Sequence, residues 1–533
     1  MASYQLQILK AMQQPEFYPH PVSRLHQCET HISTVFLTGS FVYKIKKPVN
    51  LGFLDFTTLE LRRHYCEREV MLNRRLSRDV YLEVVPITSQ PSGYQFHGPG
   101  HPVEYAVKMR QLAEDDVMIE RLKRSAVADD DIDDLARRLV SFYRETATVG
   151  KNGIIDERPD AVPPWQENFD VLRPFAGRYL DRTAFETIET ATHRFFKSRR
   201  PLFERRIESG KIKDCHGDLR SDHIYFTQEG IQIIDCIEFN DRFRFQDIIS
   251  DLAFLAMDLE DQGFPETADT IIRRYVEHTD DLDALPVLDF YRCYRAMVRC
   301  KVSCLRIEQL VPGSPAREGS QTAAKKYLGM AHGYAAAFQR PALWVVFGLP
   351  ASGKSTFAAE LGEIFDIEIL RSDVIRKQLF HANGRLEGPT AFGKGLYTPD
   401  ATTATYDRML SMAHERLDCQ ESVILDATFA KAAWRTAACD IGRRSQANTI
   451  FIECRASDAT LAARLRERET KPSVSDARVS HMGEFKSSFQ PYTPTEGVFH
   501  QIVDTEKPLR HALRQTILLH VLGSRFQSVS SAG

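Results

Sequence analysis

The segment GLPASGKS, Gly348 to Ser355, constrains this chain more than any other. It fits G-x-x-x-x-G-K-[ST], and its flanks agree: ALWVVFGLP reads as a buried strand ending in a turn, and TFAAELGEIF as a helix. Gly348 and Gly353 permit torsions that side chains forbid, so successive N–H groups can turn inward around phosphate oxygens at a helix N-terminus. The pattern predicts an α/β unit with a parallel sheet that holds a nucleoside triphosphate, ATP with Mg²⁺. Gly348, Ser352, Gly353 and Thr356 form the cradle in this reading. Lys354 reaches the β and γ phosphates, where it also serves catalysis, and the Ser355 hydroxyl holds the metal.

Two further segments supply carboxylates. ESVILDATF is a short β-branched run that ends in Asp426, where a parallel sheet offers an acid to the metal or its water; capping a turn is the alternative. In IEILRSDVIRKQL, Asp373 sits at a strand-to-helix junction with Arg376 three residues on, on the same helix face. Asp373 reads either as a helix cap or as the group that accepts a proton from a substrate hydroxyl, with Arg376 holding an anion. In this order the segments resemble small P-loop kinases of the polynucleotide kinase, gluconate kinase and zeta-toxin type, across about 342–521. That resemblance implies Asp373 as general base. It also implies a lid arginine from LAARLRERE, with Arg464 and Arg468 as candidates; an exposed, salt-bridged helix is the other reading.

At 533 residues the chain exceeds one ordinary core, and a composition of 43% hydrophobic and 26% charged residues describes a folded protein of two or three domains. The Pro-, Gly- and Ser-rich VPGSPAREGSQ marks the boundary. The expected division is 1–312, a linker and connecting helix at 313–340, a P-loop domain at 341–522, and a loose tail at 523–533. Sixty-nine basic against 72 acidic residues leave a net charge of −3, so any polyanion site is local. No apolar run of 18 residues and no leader-like N-terminus occur, which points to a cytoplasmic protein without a membrane partner. Ten cysteines without a C-x-x-C pair suggest reduced thiols and no zinc site.

The first part carries its own chemistry. CHGDLRSDHIYF and IIDCIEF place Asp218 and Asp235 seventeen residues apart at the edges of two β segments. Phosphoryl transfer needs such a pair: Asp218 to orient or deprotonate a hydroxyl, Asp235 to hold Mg²⁺. Upstream, FVYKIKKP turns Lys44 and Lys46 to one face, and the next helix carries Glu67 and Glu69.

Taken in order, these residues resemble the aminoglycoside phosphotransferase branch of the protein-kinase-like fold, across about 20–310. The resemblance implies an α+β domain of two lobes, about 20–112 and 113–312. It implies Lys44 as the phosphate lysine, Glu69 as its partner, EYAVKMRQL as the hinge, and Asp247 and Asp251 on a helix that buttresses the catalytic loop. The signature H-G-D-x-x-x-x-N matches at His216, Gly217 and Asp218, but its Asn position is His223. Imidazole is a poor ligand for hard Mg²⁺. Asp222 turning in, His223 binding phosphate or substrate, and a single metal remain as alternatives.

The whole order also resembles two-domain bacterial proteins in which a phosphotransferase-like half precedes a P-loop half. The leading expectation is a bifunctional ATP-dependent phosphotransferase acting on hydroxyl groups of a small molecule. The rival is a regulatory protein, a kinase-like sensor coupled to a P-loop switch. A nucleic-acid end is the weakest acceptor reading: it rests on FFKSRRPLFERR, whose alternating charges fit a solvated helix face better.

Overall fold

The computed structural model describes residues 3–52, 54–91, 93–148, 163–380, 398–469 and 478–523. Beyond Gly523 the expected tail lies outside the described residues. By packing, the chain divides into two compact units. Met1–Leu180, Arg205–Thr279 and Tyr294–Tyr327 make the first; Asp181–Glu204, Asp280–Cys293 and Leu328–Gly533 make the second.

The first unit opens on a six-stranded antiparallel sheet. Its strands are β1 (His26–Glu29), β2 (Ser33–Leu37), β3 (Phe41–Lys46), β4 (Tyr81–Gln90), β5 (Gly93–Phe96) and β6 (Pro102–Arg110), in the spatial order β1-β2-β3-β6-β4-β5. Alternation along β3 decides its two faces. Tyr43 and Ile45 enter an apolar cluster with Phe36 and Val85, whereas Lys44 and Lys46 meet the helix Leu59–Asn73. Thr58 caps that helix by accepting from the Leu61 N–H. The stretch expected as the hinge is mostly strand β6, paired with both β3 and β4, and only Gln111 and Leu112 continue past it. Its alternating apolar residues suit a central strand, which the resemblance alone did not separate from the connection.

A buried ion pair ties this sheet to its helix. Arg62 Nε lies 2.9 Å from Glu104 Oε1, and both side chains are fully buried. Removing one partner of such a pair strands the other charge. Arg62→Met is therefore expected to cost about 3–5 kcal/mol in urea denaturation; a loss below about 1 kcal/mol would show that Gln5 and the Tyr105 N–H suffice for Glu104.

The remainder of the first unit is mainly helical with short β pairs: β7 (Ile212–Asp214) with β10 (Phe245–Asp247), and β8 (Ile224–Thr227) with β9 (Gly230–Ile233). The buried helix Ile248–Asp261 follows, capped by Asp247. An antiparallel sheet followed by helices is the α+β arrangement expected of this part. The segment expected as a linker forms a turn and then one long helix, Pro315–Gln339, which starts within the Pro-, Gly- and Ser-rich stretch. Pro315 at the first helical position and the Ser314 hydroxyl, which accepts from the Arg317 N–H, explain the early start.

The second unit is built on five parallel strands: β11 (Ala342–Phe347), β12 (Glu368–Arg371), β13 (Val423–Asp426), β14 (Asn448–Arg455) and β15 (Phe499–Asp504), in the order β12-β13-β11-β14-β15. Near-continuous apolar runs in β11, β13 and β14 reflect burial on both faces. Phe195 and Phe203 pack against Phe290 within this unit, so the rings of FFKSRRPLFERR belong to a core. Among the described residues, no helix is long and apolar enough to cross a membrane.

Candidate active sites

In the first unit, β3 and the helix Leu59–Asn73 bring the expected pair together. Lys44 Nζ lies 2.9 Å from Glu69 Oε1 and 2.7 Å from Asp235 Oδ1. Glu67 instead pairs with exposed Arg63. Sequence reasoning missed Glu238, which together with Glu69 holds the fully buried Lys46. The available signal was Lys46 itself, since a second lysine on the inner face requires a second carboxylate. Desolvation alone would depress the Lys44 ammonium, but Asp235 and Glu69 outweigh it and raise it well above the ordinary lysine range. Desolvation would raise the Asp235 carboxyl, yet Lys44, His223 and Arg220 hold it below the usual carboxylate range. Asp235 has a φ of 66°, a left-handed conformation that costs energy and is typical of functional positions.

The catalytic-loop segment is held from behind. Asp251 accepts from the backbone N–H groups of His216 (2.8 Å) and Gly217 (2.9 Å), as the resemblance implied. Asp247 caps the buttress helix and forms a buried pair with Arg206, 2.7 Å from Nη2 to Oδ1. Asp218, partly buried in this loop, has its carboxyl lowered: desolvation opposes the shift, and Arg220, His223 and Arg299 overcome it. Asp218, His223 and Asp235 place one ligand atom each within 4.8 Å of one another. Asp222 points outward, half exposed, onto Arg220, so it does not turn in as a substitute ligand.

His216 is fully buried, donates through Nε2 to the Ile234 carbonyl at 3.0 Å, and accepts at Nδ1 from the Asp218 N–H. Burial lowers its pKa from 6.5 to about 4. A lowered folded value means the unfolded chain takes up the proton first. The stability this neutral ring contributes is complete above about 6.5 and is lost as pH falls toward 4. Between pH 7.5 and 5 the loss should be about 2 kcal/mol in urea denaturation, and His216→Gln should flatten that slope. An unchanged slope in the variant would assign the acid sensitivity to other groups.

In the second unit the loop stands between β11 and the helix Lys354–Phe365. Gly348 (φ 145°) and Gly353 (φ 85°) take torsions that favour glycine, and a Cβ on Gly348 would collide with the Cys454 carbonyl oxygen. The outer side of the loop is tied down by a residue the sequence did not flag: Thr505 Oγ1 donates to the Ser352 carbonyl at 2.8 Å. Arg464 donates to Thr505 and, at 3.3 Å, to the Ala351 carbonyl, so its guanidinium braces the loop. Arg468 lines an adjoining cavity of about 470 Å³ together with Gly353, Thr356 and Lys507. Lys354 Nζ folds back to 3.5 Å from the Leu349 carbonyl.

Register places Asp426 beside this loop, since it pairs with Val346 on one side and Arg371 on the other. Asp426 is 4% exposed, and its Oδ1 has no hydrogen-bond partner among the described residues. A buried carboxylate oxygen of this kind, at the end of a strand paired with β11, fits a hard cation or its water. Asp373 lies in the first turn of the helix Ser372–Phe380, not at its cap, and its Oδ1 is 3.5 Å from buried Arg376. Arrangements of this kind neutralise phosphate oxygens and leave a second carboxylate for a hydroxyl proton.

A family model described as an AAA domain matches residues 343–492. Among solved structures, a choline/ethanolamine kinase family protein from Mesorhizobium loti is 13% identical and covers 62% of this chain and 99% of its own, with a TM-score of 0.37. A gluconokinase from Sinorhizobium meliloti is 18% identical over 36% of this chain and 98% of its own, with a TM-score of 0.26. Uncharacterized proteins of Mycobacterium tuberculosis and Mycobacterium bovis are each 31% identical over 458 residues, 85% of this chain and 88% of theirs. At that identity and coverage, the chain belongs to the same family as these mycobacterial proteins.

Proposed function

We propose that the protein is a bifunctional phosphotransferase, moving the γ-phosphate of ATP to a hydroxyl group of a small molecule at each of two sites. We assign the first activity to 1–312 and the second to 341–522, joined through 313–340. The observation that carries this reading is Asp218. It lies within 4.8 Å of Asp235 in ligand-atom distance, yet takes no part in the Lys44–Glu69–Asp235 network. A site that only bound nucleotide would not need it.

At the first site, Lys44 holds the α and β phosphates and Asp235 offers a carboxylate for Mg²⁺. Asp218 accepts the acceptor's proton as its oxygen forms the new bond to γ-phosphorus; the bond from that phosphorus to the β–γ bridging oxygen breaks, and ADP leaves. In the second, the loop amides, Lys354 and Thr356 hold the phosphates, with Gly348, Ser352 and Gly353 shaping the cradle. Ser355 and Asp426 would hold Mg²⁺, Asp373 takes the proton, and Arg376 and Arg468 neutralise the transferring group. When bound, Mg²⁺ neutralises charge on the β and γ oxygens. Arg464 serves as the brace of the loop.

The test is a mass-spectrometric screen of the purified chain with ATP, Mg²⁺ and pooled hydroxyl metabolites, run beside Lys354→Ala and Asp218→Asn. Two separable sets of phosphorylated products, each missing from one variant, are expected. Turnover silenced by Lys354→Ala alone would instead favour the sensor-and-switch reading.

A further inference from the structure

The departure at His223 has a structural counterpart. His223 is 7% exposed, and both its ring nitrogens are engaged. Nε2 lies 2.7 Å from Nη2 of Arg220, and Nδ1 lies 2.9 Å from the Asp218 carbonyl oxygen. A guanidinium can only donate, so Nε2 is the acceptor and the ring proton sits on Nδ1, directed at that carbonyl. The lone pair that would meet a metal is therefore spent on Arg220. The second metal position, which the protein-kinase-like fold equips with an asparagine oxygen, does not fit these residues.

What stands there is a fixed cation. Arg220 Nη1 lies 2.8 Å from Asp222 Oδ2, and its Nε 3.3 Å from Asp218 Oδ1. Its side chain is only 13% exposed. The same His223 Nε2 is 3.7 Å from Asp222 Oδ1 and 3.7 Å from Asp235 Oδ2, so the guanidinium sits among the groups that would surround an ion. The turn is pinned independently: Asp258 accepts from both the N–H (2.9 Å) and the hydroxyl (2.6 Å) of Ser221. Arginine keeps its charge at any working pH and is weakly hydrated, which suits it to a phosphate-facing position.

We propose that the first unit uses one divalent ion, at Asp235, and that Arg220, held in place by His223 and Asp222, supplies the positive charge of the missing second ion. His223 is in this account a positioning residue. The inference rests on the phosphotransferase reading of the first unit and makes that site a one-metal site.

The experiment uses the full chain carrying Lys354→Ala, Ser355→Ala and Asp426→Asn, which strips the P-loop site of its phosphate lysine and of both metal-holding groups, with Mn²⁺ and a non-hydrolysable ATP analogue. Mn²⁺ accepts both oxygen and imidazole, so it gives His223 every chance to ligate. Equilibrium dialysis and pulsed electron paramagnetic resonance should find one nucleotide and one Mn²⁺ per chain, without nitrogen coupling from an imidazole. Arg220→Leu combined with His223→Asn should raise the count to two Mn²⁺. One nucleotide with two Mn²⁺ before those substitutions, or an imidazole coupling that His223→Asn removes, overturns the proposal and needs no folded Arg220 variant. Absence of any bound nucleotide would instead sink the phosphotransferase reading beneath it.

Discussion

Lys354→Ala is expected to lower turnover at the P-loop site by about 10²–10³-fold, the loss typical of removing one preorganised charge from a transferring phosphate. The reason is local. Lys354 is the first residue of its helix, directly after Gly353, so its ammonium is placed to meet the same anion as the amides of that first turn. Its Nζ rests 3.5 Å from the Leu349 carbonyl, a weak contact that a phosphate can replace at little cost. Calorimetry with ATP and Mg²⁺ separates binding from chemistry. Products of the first site should be unaffected, and full activity of the variant at both sites would remove the P-loop from the mechanism.

Asp218→Asn is expected to reduce phosphotransfer in the first unit by about 10²–10⁴-fold, the range for loss of a positioned general base. The amide is nearly isosteric, so Arg220 and the Asp251-held backbone stay in place while the proton acceptor is lost. ATP binding should persist, because Lys44, Glu69 and Asp235 are untouched; a fall in nucleotide affinity equal to the fall in rate would make Asp218 a binding group. Both Asp218 and Asp235 are held below the ordinary carboxylate range. Activity that needs them ionised should therefore survive as pH falls through the region where ordinary carboxylates protonate, and its acid limb should lie below it. A rate that halves near pH 5 would contradict this.

Several features of the sites were legible before any coordinates. The loop from Gly348 to Ser355 could be read because glycine torsions and strand–loop–helix order are properties of adjacent residues. Lys44 and Lys46 could be placed on one face because strands alternate. Periodicity left Glu67 and Glu69 open and the resemblance implied Glu69; the packed helix sends Glu67 outward to Arg63 and Glu69 inward to both lysines. The resemblance made Arg464 a lid candidate, and the structure places its guanidinium on Thr505 and the Ala351 carbonyl, partners from distant parts of the chain. The substitution at His223 was visible, but its meaning was not, since the sequence does not show that Arg220 takes its free nitrogen.

By itself, then, the amino-acid order determined the glycine-dependent loop, the shared face of Lys44 and Lys46, and the succession of Asp218 and Asp235, all of which follow from torsions, periodicity and order along a few residues. Only the tertiary structure decided which charges meet. Lys44 and Asp235 are 191 positions apart, and Lys46 and Glu238 192. Pairing across such separations is set by how buried faces pack, because an unpaired charge cannot remain in the interior.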